Sequence, residues 1–478
     1  MGFDTFESEA KKYQECRKSF WNRSHSGRIN VVSHYYRKKL SEIYRNNIPE
    51  NSKILELGCG TGNLLASLKP LRGVGVDFSS EAIDKARKRY PDLEFILSDA
   101  SKVDLSDENF DYIVISNLIN DAWDVQILLA EIHRFCSPKT RIVLDFYSHL
   151  WNVPLRIMRK VGVISPSLPQ NWLTKHDVEN FLEISGFQLL KKCEEIILPI
   201  KVGYFSDFVN RYLAKIFPFY LFAITNFAVA RPLIFHRNKQ PSLSIIIAAR
   251  NESGHIDELI SRIPKINDDT EIIFVEGNST DDTYKSIQRA ITTHKDKNIK
   301  LINQVGNGKG DAVRTGFESA NGEVLIILDA DITVPPEDLK RFYDLIARNE
   351  AEFVNGVRLV YPMEESAMRF LNLVGNKFFS FAFSWLLGQK IRDTLCGTKA
   401  LRKSDYLTIK ENRSYFGNFD PFGDFDLLFG AARLNLKIVE VPIRYRARRY
   451  GETNISRWKH GWLLLRMVVF AARKIKFI

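Results

Sequence analysis

The chain has 478 residues, 45% hydrophobic and 26% charged, which is too long for one ordinary core and too apolar for a disordered chain. Two or three folded domains are expected. Lys and Arg number 68 against 57 Asp and Glu, a net +11, and residues 442–478 alone hold ten basic side chains against one acid. That asymmetry points to an anionic partner at this end, whether lipid headgroup, phosphate or nucleic acid. No recognised nucleic-acid module accompanies it, so an anionic membrane surface is expected rather than nucleic acid.

Five cysteines, at 16, 59, 136, 193 and 396, form no CxxC pair and suit a reducing cytosol better than a disulfide framework. The first twenty residues lack an apolar core, so no secretory signal is expected. The longest uncharged candidates for a spanning helix, 216–230 and 378–389, fall short of the roughly 18 residues that crossing a bilayer requires. A cytoplasmic protein, peripheral at the membrane, is the expectation.

Short apolar runs alternate with helical patterns in two successive sets. Strands are predicted at 53–58, 73–78, 94–99, 112–117 and 141–147, helices at 80–90 and 124–136, and two closing strands at 187–198 and 226–235. A second set of strands follows at 242–250, 271–277, 299–305 and 323–331. This alternation implies two α/β domains with mostly parallel sheets. The expected division is 1–236, a polar linker at 237–241 containing Pro241, and 242–478.

In the first set, Glu56-Leu-Gly58-Cys-Gly60-Thr-Gly62 follows an apolar strand and opens a helix. Glycines here let backbone approach a ligand where side chains would collide. Asp77 ends the next strand and Asp99 the third, where carboxylates accept ribose hydroxyls and an adenine amino group. The glycine spacing is not the G-x-G-x-x-G of dinucleotide sites. From about residue 50 to 236 this pattern resembles the class I S-adenosylmethionine-dependent methyltransferases, with a Rossmann-like fold. The resemblance implies that Glu56, Gly58, Gly60 and Gly62 line the methionine end of the cofactor, that Asp77 binds its ribose and Asp99 its adenine. Asn117, Asp121, Trp123 and His149 follow the fourth and fifth strands, where either acceptor-facing or purely structural roles stay open.

In the second set, Asp329 and Asp331 end the apolar strand LIILDAD. Two carboxylates at i and i+2 point the same way on a strand and suit one Mg²⁺ or Mn²⁺ shared with substrate phosphates. Their surroundings resemble glycosyltransferase family 2, and within it the dolichyl- or polyprenyl-phosphate sugar transferases, which have a GT-A fold. By that resemblance Asn251 and Glu252 in IIIAARNES and Glu276 in FVEGNSTDDT sit at the nucleotide, and Lys309 in the glycine-rich loop 306–317 meets the diphosphate. Asp393 and Lys399 in RDTLCGTK belong to the acceptor-side strand, and Arg448 and Arg449 in RARRYGETN to a basic loop closing over the donor.

Asp424 and Asp426 in PFGDFDLL share one face if the segment is extended, and instead cap a dipole if it starts a helix. Either reading is open. The resemblance implies inverting transfer from a nucleotide sugar to a lipid phosphate or another lipid-linked acceptor. The alternative is a hydroxyl acceptor, whose proton a catalytic carboxylate, Asp424 or Asp426, would have to take, with the methyltransferase-like half serving as a non-catalytic binding or recruitment module. Residues 458–476 read as a helix with Lys459, Arg466 and Arg473 on one side, an amphipathic element for a membrane interface or a packed C-terminal helix. The run 378–387 is either buried core or a shallow membrane-dipping helix.

Overall fold

The computed structural model describes residues 2–25, 31–105, 108–162, 167–235, 240–358, 360–361, 370–412, 424–446 and 457–477. The expected linker at 237–241 falls largely outside them. The chain forms two compact units, Met1–Ile234 with Phe477–Ile478, and Phe235–Lys476.

In the first unit the strands are β1 (Lys53–Leu57), β2 (Arg72–Asp77), β3 (Glu94–Leu97), β4 (Phe110–Ser116), β5 (Cys136–Tyr147), β6 (Phe187–Glu194) and β7 (Thr225–Pro232). They form one sheet in the order β3-β2-β1-β4-β5-β7-β6. β1 to β5 run parallel, and β7 is antiparallel to both β5 and β6. Alternate residues feed two cores: Leu55, Ile113 and Leu144 on one face, Ile54, Val114 and Val143 on the other. Burial on both faces is why these strands read as continuous apolar runs. Parallel register also brings the loops after β1, β2, β3 and β4 to one edge of the sheet.

The flanking helices begin where the sequence offers a cap. Ser79 accepts from Ala82 N ahead of Ser80–Arg89, and Thr174 and Asp177 form a reciprocal capping box ahead of Lys175–Ile184. The pattern at 124–136 resolves into the helix Val125–Glu131 and a 3₁₀ turn, Ile132–Phe135.

At the sheet centre Asp145 is fully buried and accepts a 2.7 Å hydrogen bond from Tyr44 Oη. Burial pushes its carboxyl up to about 6, against the hydrogen bonds of Tyr44 and Ser116. The folded state therefore binds a proton between the ordinary carboxylate range and pH 6 that the unfolded chain releases. The stability contribution is present below that window and is lost as pH rises through it, on the order of 3 kcal/mol. Asp145→Asn should flatten this slope, so the thermal midpoints of variant and parent should diverge between pH 4 and 7, the variant being favoured at the higher pH.

The second unit contains β8 (Leu243–Ala249), β9 (Thr270–Glu276), β10 (Asn298–Asn303), β11 (Val324–Asp329), β12 (Phe353–Val357), β13 (Lys399–Arg402) and β14 (Ile438–Pro442). Their order is β10-β9-β8-β11-β13-β12-β14. β8 to β11 are parallel, and β13 is antiparallel to both β11 and β12. The expected strand across RDTLCGTK starts only at Lys399. Asp393 lies in the loop before it, held there by its own side-chain bonds rather than by a ladder.

The C-terminal helix Arg457–Ala471 continues as a π-helical turn, Ala472–Lys476. Leu464, Met467 and Ala471 are buried in the core of the unit, whereas Trp462, Leu465 and Val469 are exposed beside Arg466 and Arg473. The helix is therefore packed on the unit and apolar on its outer side too, which differs from a simple split into apolar and basic faces. Residues 378–387 end the helix Phe370–Leu387, with Phe383, Leu386 and Leu387 buried and Phe378 and Phe381 exposed. Among the described residues no helix is long and apolar enough to cross a membrane.

Candidate active sites

The glycine loop of the first unit turns sharply between β1 and the short helix Asn63–Ser67. Gly60 and Gly62 have φ of +52° and +73°, a region that costs an L side chain strain. A Cβ on Gly62 would also stand 2.6 Å from the Phe95 ring. Gly58, at the start of the loop, has φ +75°. Beneath the loop Glu56 is buried and accepts from Leu65 N at 2.9 Å, and burial raises its carboxyl well above the usual range. Glu56 thus braces the turn from below.

Asp77 accepts from Gly60 N and Ser79 N, both at 2.8 Å, so it ties the first loop to the second. Asp99 accepts from Ser101 N and Oγ, and from Gln14 Nε2 at 2.7 Å. Gln14 belongs to the helix Gly2–His25, which also sends Asn22 to Ser79 Oγ (2.6 Å) and Arg17 to the Asp121 carbonyl (2.9 Å). This helix spans the edge where the loops after β2, β3 and β4 meet. Sequence reasoning missed Gln14, Arg17 and Asn22, because nothing local marks a helix whose partners lie 57 to 104 residues away.

Asn117 has φ +54° after β4, and Tyr13 packs edge-on against Trp123 at 5.0 Å between centroids. His149 bonds the Trp172 carbonyl at 2.9 Å. Asp121 lines a cavity of about 130 Å³ together with Phe20, Trp21, Tyr147, Arg159 and Gln170.

In the second unit the loops after β8 and β9 are stitched together. Asn251, at φ +57°, accepts from Thr280 N at 2.8 Å and donates from its own N–H to Ser279 Oγ at 3.0 Å. Glu252 is buried against His255 Nδ1 at 2.9 Å. Glu276 is buried and accepts from Ser279 N at 2.6 Å and Asn278 N at 3.2 Å. Both acids therefore shape the loops that line this edge.

Three stretches far apart in sequence converge at the end of β11. Lys309 opens the helix Lys309–Ser319 and pairs with Asp329 Oδ1. A Cβ on Gly397 would fall within 2.2 Å of Asp329 Oδ2, so the 392–399 loop lies directly against this pair. Burial alone would lift the Asp329 carboxyl, but Lys309, Lys399 and Arg358 outweigh it and hold it below its ordinary range. Asp331 moves the opposite way, raised by burial and then by the Asp329 charge, although Thr333 donates to it from Oγ1 at 2.7 Å. Lys399 is fully buried and donates to the Cys396 carbonyl.

Two adjacent hard-oxygen donors, one of them raised by its neighbour's charge, fit a divalent cation that would allow both to ionise. No cluster of three or more metal-ligating side chains occurs among the described residues, so the remaining ligands would come from substrate or solvent.

Asp393 is fully buried in a two-pronged pair with Arg358, at 2.7 Å from Nε and 2.8 Å from Nη2. Arg358 also stacks over Tyr445 at 5.2 Å. Sequence reasoning found Asp393 but not Arg358, a single arginine just past a strand.

Asp424 and Asp426 open the helix Asp424–Arg433. Positions two apart on a helix lie about 200° apart around the axis, so the shared-face reading of this pair does not hold. Asp426 lines a cavity of about 60 Å³ with Val313, Phe317 and Tyr406. The Asp424 side chain, Arg448 and Arg449 lie outside the described residues.

Residues 244–409 match the glycosyl transferase family 2 model and residues 48–186 a methyltransferase domain. The dolichyl-phosphate hexose transferase of Haloferax volcanii is 30% identical over 230 residues, covering 48% of this chain and 92% of that protein. The C-terminal half of the chain belongs to glycosyltransferase family 2. The dolichol-phosphate mannosyltransferase of Pyrococcus furiosus is 28% identical over 220 residues, 45% of this chain and 59% of that protein. A TehB-like SAM-dependent methyltransferase from Corynebacterium glutamicum aligns with 46% of this chain and 98% of its own, at 19% identity and a TM-score of 0.29. By the two family models the chain joins a methyltransferase-like domain to a family 2 glycosyltransferase domain, both α/β.

The Arg358–Asp393 pair holds the family 2 domain's loop before β13. Replacing Arg358 with Met would leave a buried carboxylate without its partner, a loss of about 3–5 kcal/mol. Denaturant unfolding of Arg358→Met should show that loss in the C-terminal unit, with the N-terminal transition unchanged.

Proposed function

We propose that the C-terminal unit transfers a sugar from a nucleotide sugar to a polyprenyl phosphate at a membrane surface. We further propose that the N-terminal unit transfers a methyl group from S-adenosylmethionine in the same glycan or glycolipid pathway. The convergence of Lys309, the Asp329–Asp331 pair and the Gly397 loop at one sheet edge carries the first reading. Kinship with polyprenyl-phosphate sugar transferases supports the acceptor class.

Asn251, Glu252 and Glu276 set the two loops that take the nucleoside. The diphosphate lies toward Lys309, where an ammonium and the N-terminal end of a helix dipole favour an anion. Asp329 and Asp331 would hold Mg²⁺ or Mn²⁺, which would neutralise charge on the departing diphosphate. Lys309, and after it Lys399 and Arg358, favour the ionised form of Asp329 for that task. Asp393 acts through Arg358 as a positioning residue. Arg448 and Arg449 supply further phosphate contacts on the family resemblance.

A lipid phosphate oxygen is ionised near neutral pH and attacks the anomeric carbon without a strong base. The carbon–oxygen bond to the diphosphate breaks, its electron pair leaves with that oxygen, and the configuration inverts. The requirement for an acid at Asp424 or Asp426 then falls away, in keeping with their place on a helix. The exposed Phe378, Phe381, Trp462 and Leu465 beside Arg466 support a membrane-surface setting for this unit.

In the N-terminal unit Gly58, Gly60 and Gly62 leave room for the methionine end of the cofactor, Glu56 braces their turn, Asp77 takes the ribose and Asp99 the adenine. The protein's main task is to align a nucleophile behind an already activated sulfonium methyl.

Asp331→Asn should reduce sugar transfer to polyprenyl phosphate at least a hundredfold by product mass while the calorimetric affinity for S-adenosylmethionine is unchanged; undiminished transfer would remove the metal role. Gly60→Val should have the opposite profile, with no measurable heat of S-adenosylmethionine binding and sugar transfer intact. Normal heats would refute the cofactor pocket.

A further inference from the structure

Many of the exposed large apolar side chains of the N-terminal unit are grouped. On the helix Asn152–Lys160 and its flanks, Leu150, Val153, Ile157 and Val161 form one row, each 56–67% exposed. Their spacing of three and four residues places them on a single face. Arg156 and Lys160 form a parallel exposed row beside them, and the helix contains no acid.

The second group lies between residues 200 and 222, where the helix Phe205–Arg211 leads through two 3₁₀ turns. Tyr204, Phe205, Phe217 and Phe222 are 61–92% exposed. The two groups adjoin, since Trp151 Nε1 donates to the Phe222 carbonyl at 3.0 Å. Arg211 is exposed here, while the one acid of this stretch, Asp207, is already neutralised by Lys39 and Lys201.

We propose that this surface docks the methyltransferase unit on an anionic lipid bilayer, with the helix Asn152–Lys160 lying in the interface plane. An apolar row that enters the acyl boundary beside a basic row at the phosphates is the arrangement of an in-plane helix. Exposed Tyr and Phe rings suit the headgroup level, where an apolar body and a polar edge are both satisfied. The charge pattern argues against a second copy of the chain as occupant. A two-fold self-contact would bring the same basic surface onto itself, and like charges so opposed repel. This surface belongs to a different unit from the C-terminal helix, and the inference does not rest on the sugar-transfer reading.

The test uses the full chain with an environment-sensitive fluorophore at Ile157→Cys. The background is Cys16→Ser, since Cys16 is the exposed native thiol among the described cysteines. On vesicles of 70% phosphatidylcholine and 30% phosphatidylglycerol the label should blue-shift and brighten several-fold, and far less on pure phosphatidylcholine. Arg156→Gln with Lys160→Gln should weaken vesicle partitioning by roughly tenfold or more, with an unchanged thermal midpoint. Unaltered label emission on anionic vesicles overturns the proposal, even if the chain still sediments with them through the C-terminal unit. A blue shift without vesicles that tracks a monomer–dimer equilibrium in the ultracentrifuge also overturns it, and assigns the surface to self-association.

Discussion

Two carboxylates placed side by side at the end of a buried strand cannot both remain ionised unless positive charge is supplied, and the family 2 domain is organised around that constraint. β11 is covered on both faces and so has nowhere to direct Asp329 and Asp331 except its open end. Lys309 opens a helix, Lys399 opens β13 and Arg358 follows β12, and all three lower the cost of charging Asp329. Asp331 is left raised by burial and by the Asp329 charge, an asymmetry that supports the cation site proposed above.

The methyltransferase domain meets a different constraint with similar topology. Its loop after β1 turns on glycines with left-handed φ, which on the reading proposed above leaves backbone open to the cofactor, and Asp77 is kept in place by N–H donors from two loops. In both domains parallel strands gather successive loops at one edge, and the chemistry follows from what those loops carry. The buried acids Glu56 in one unit and Glu252 in the other bond residues close by in the chain, Leu65 and His255, and so help to hold their loops in shape.

Strands buried on both faces were easy to read from sequence, because continuous runs such as 243–249 or 112–116 have few alternatives. Motifs that act locally were equally legible: the glycine turn and the DxD pair both depend on neighbours within a few residues. What stayed hidden depends on distant pairing. The antiparallel insertion of β13 between β11 and β12 leaves no local trace, and Arg358 gains its meaning only from Asp393, 35 residues on. Gln14 is bonded to Asp99 across 85 residues. Asp424 and Asp426 were ambiguous for a physical reason, since a D-x-D spacing marks one face of a strand but opposite sides of a helix, and only the fold selects the helix.

On the membrane setting proposed above, fusion of the two domains changes the energetics of attachment. A single in-plane helix with a few basic residues gives weak, reversible attachment, since each charge contributes only about 1 kcal/mol near an anionic surface. A covalent link converts a second weak attachment into an intramolecular event whose effective concentration is set by the connection, and avidity can exceed either affinity by roughly 10²–10⁴. Apolar residues flanked by arginines occur on the outer side of the C-terminal helix and on the helix Asn152–Lys160, so each unit carries a surface of the kind such an arrangement needs. A hydrophobic acceptor confined to a bilayer would then be presented to both chemistries without a diffusing intermediate. That advantage accrues to the fused chain and to neither domain alone.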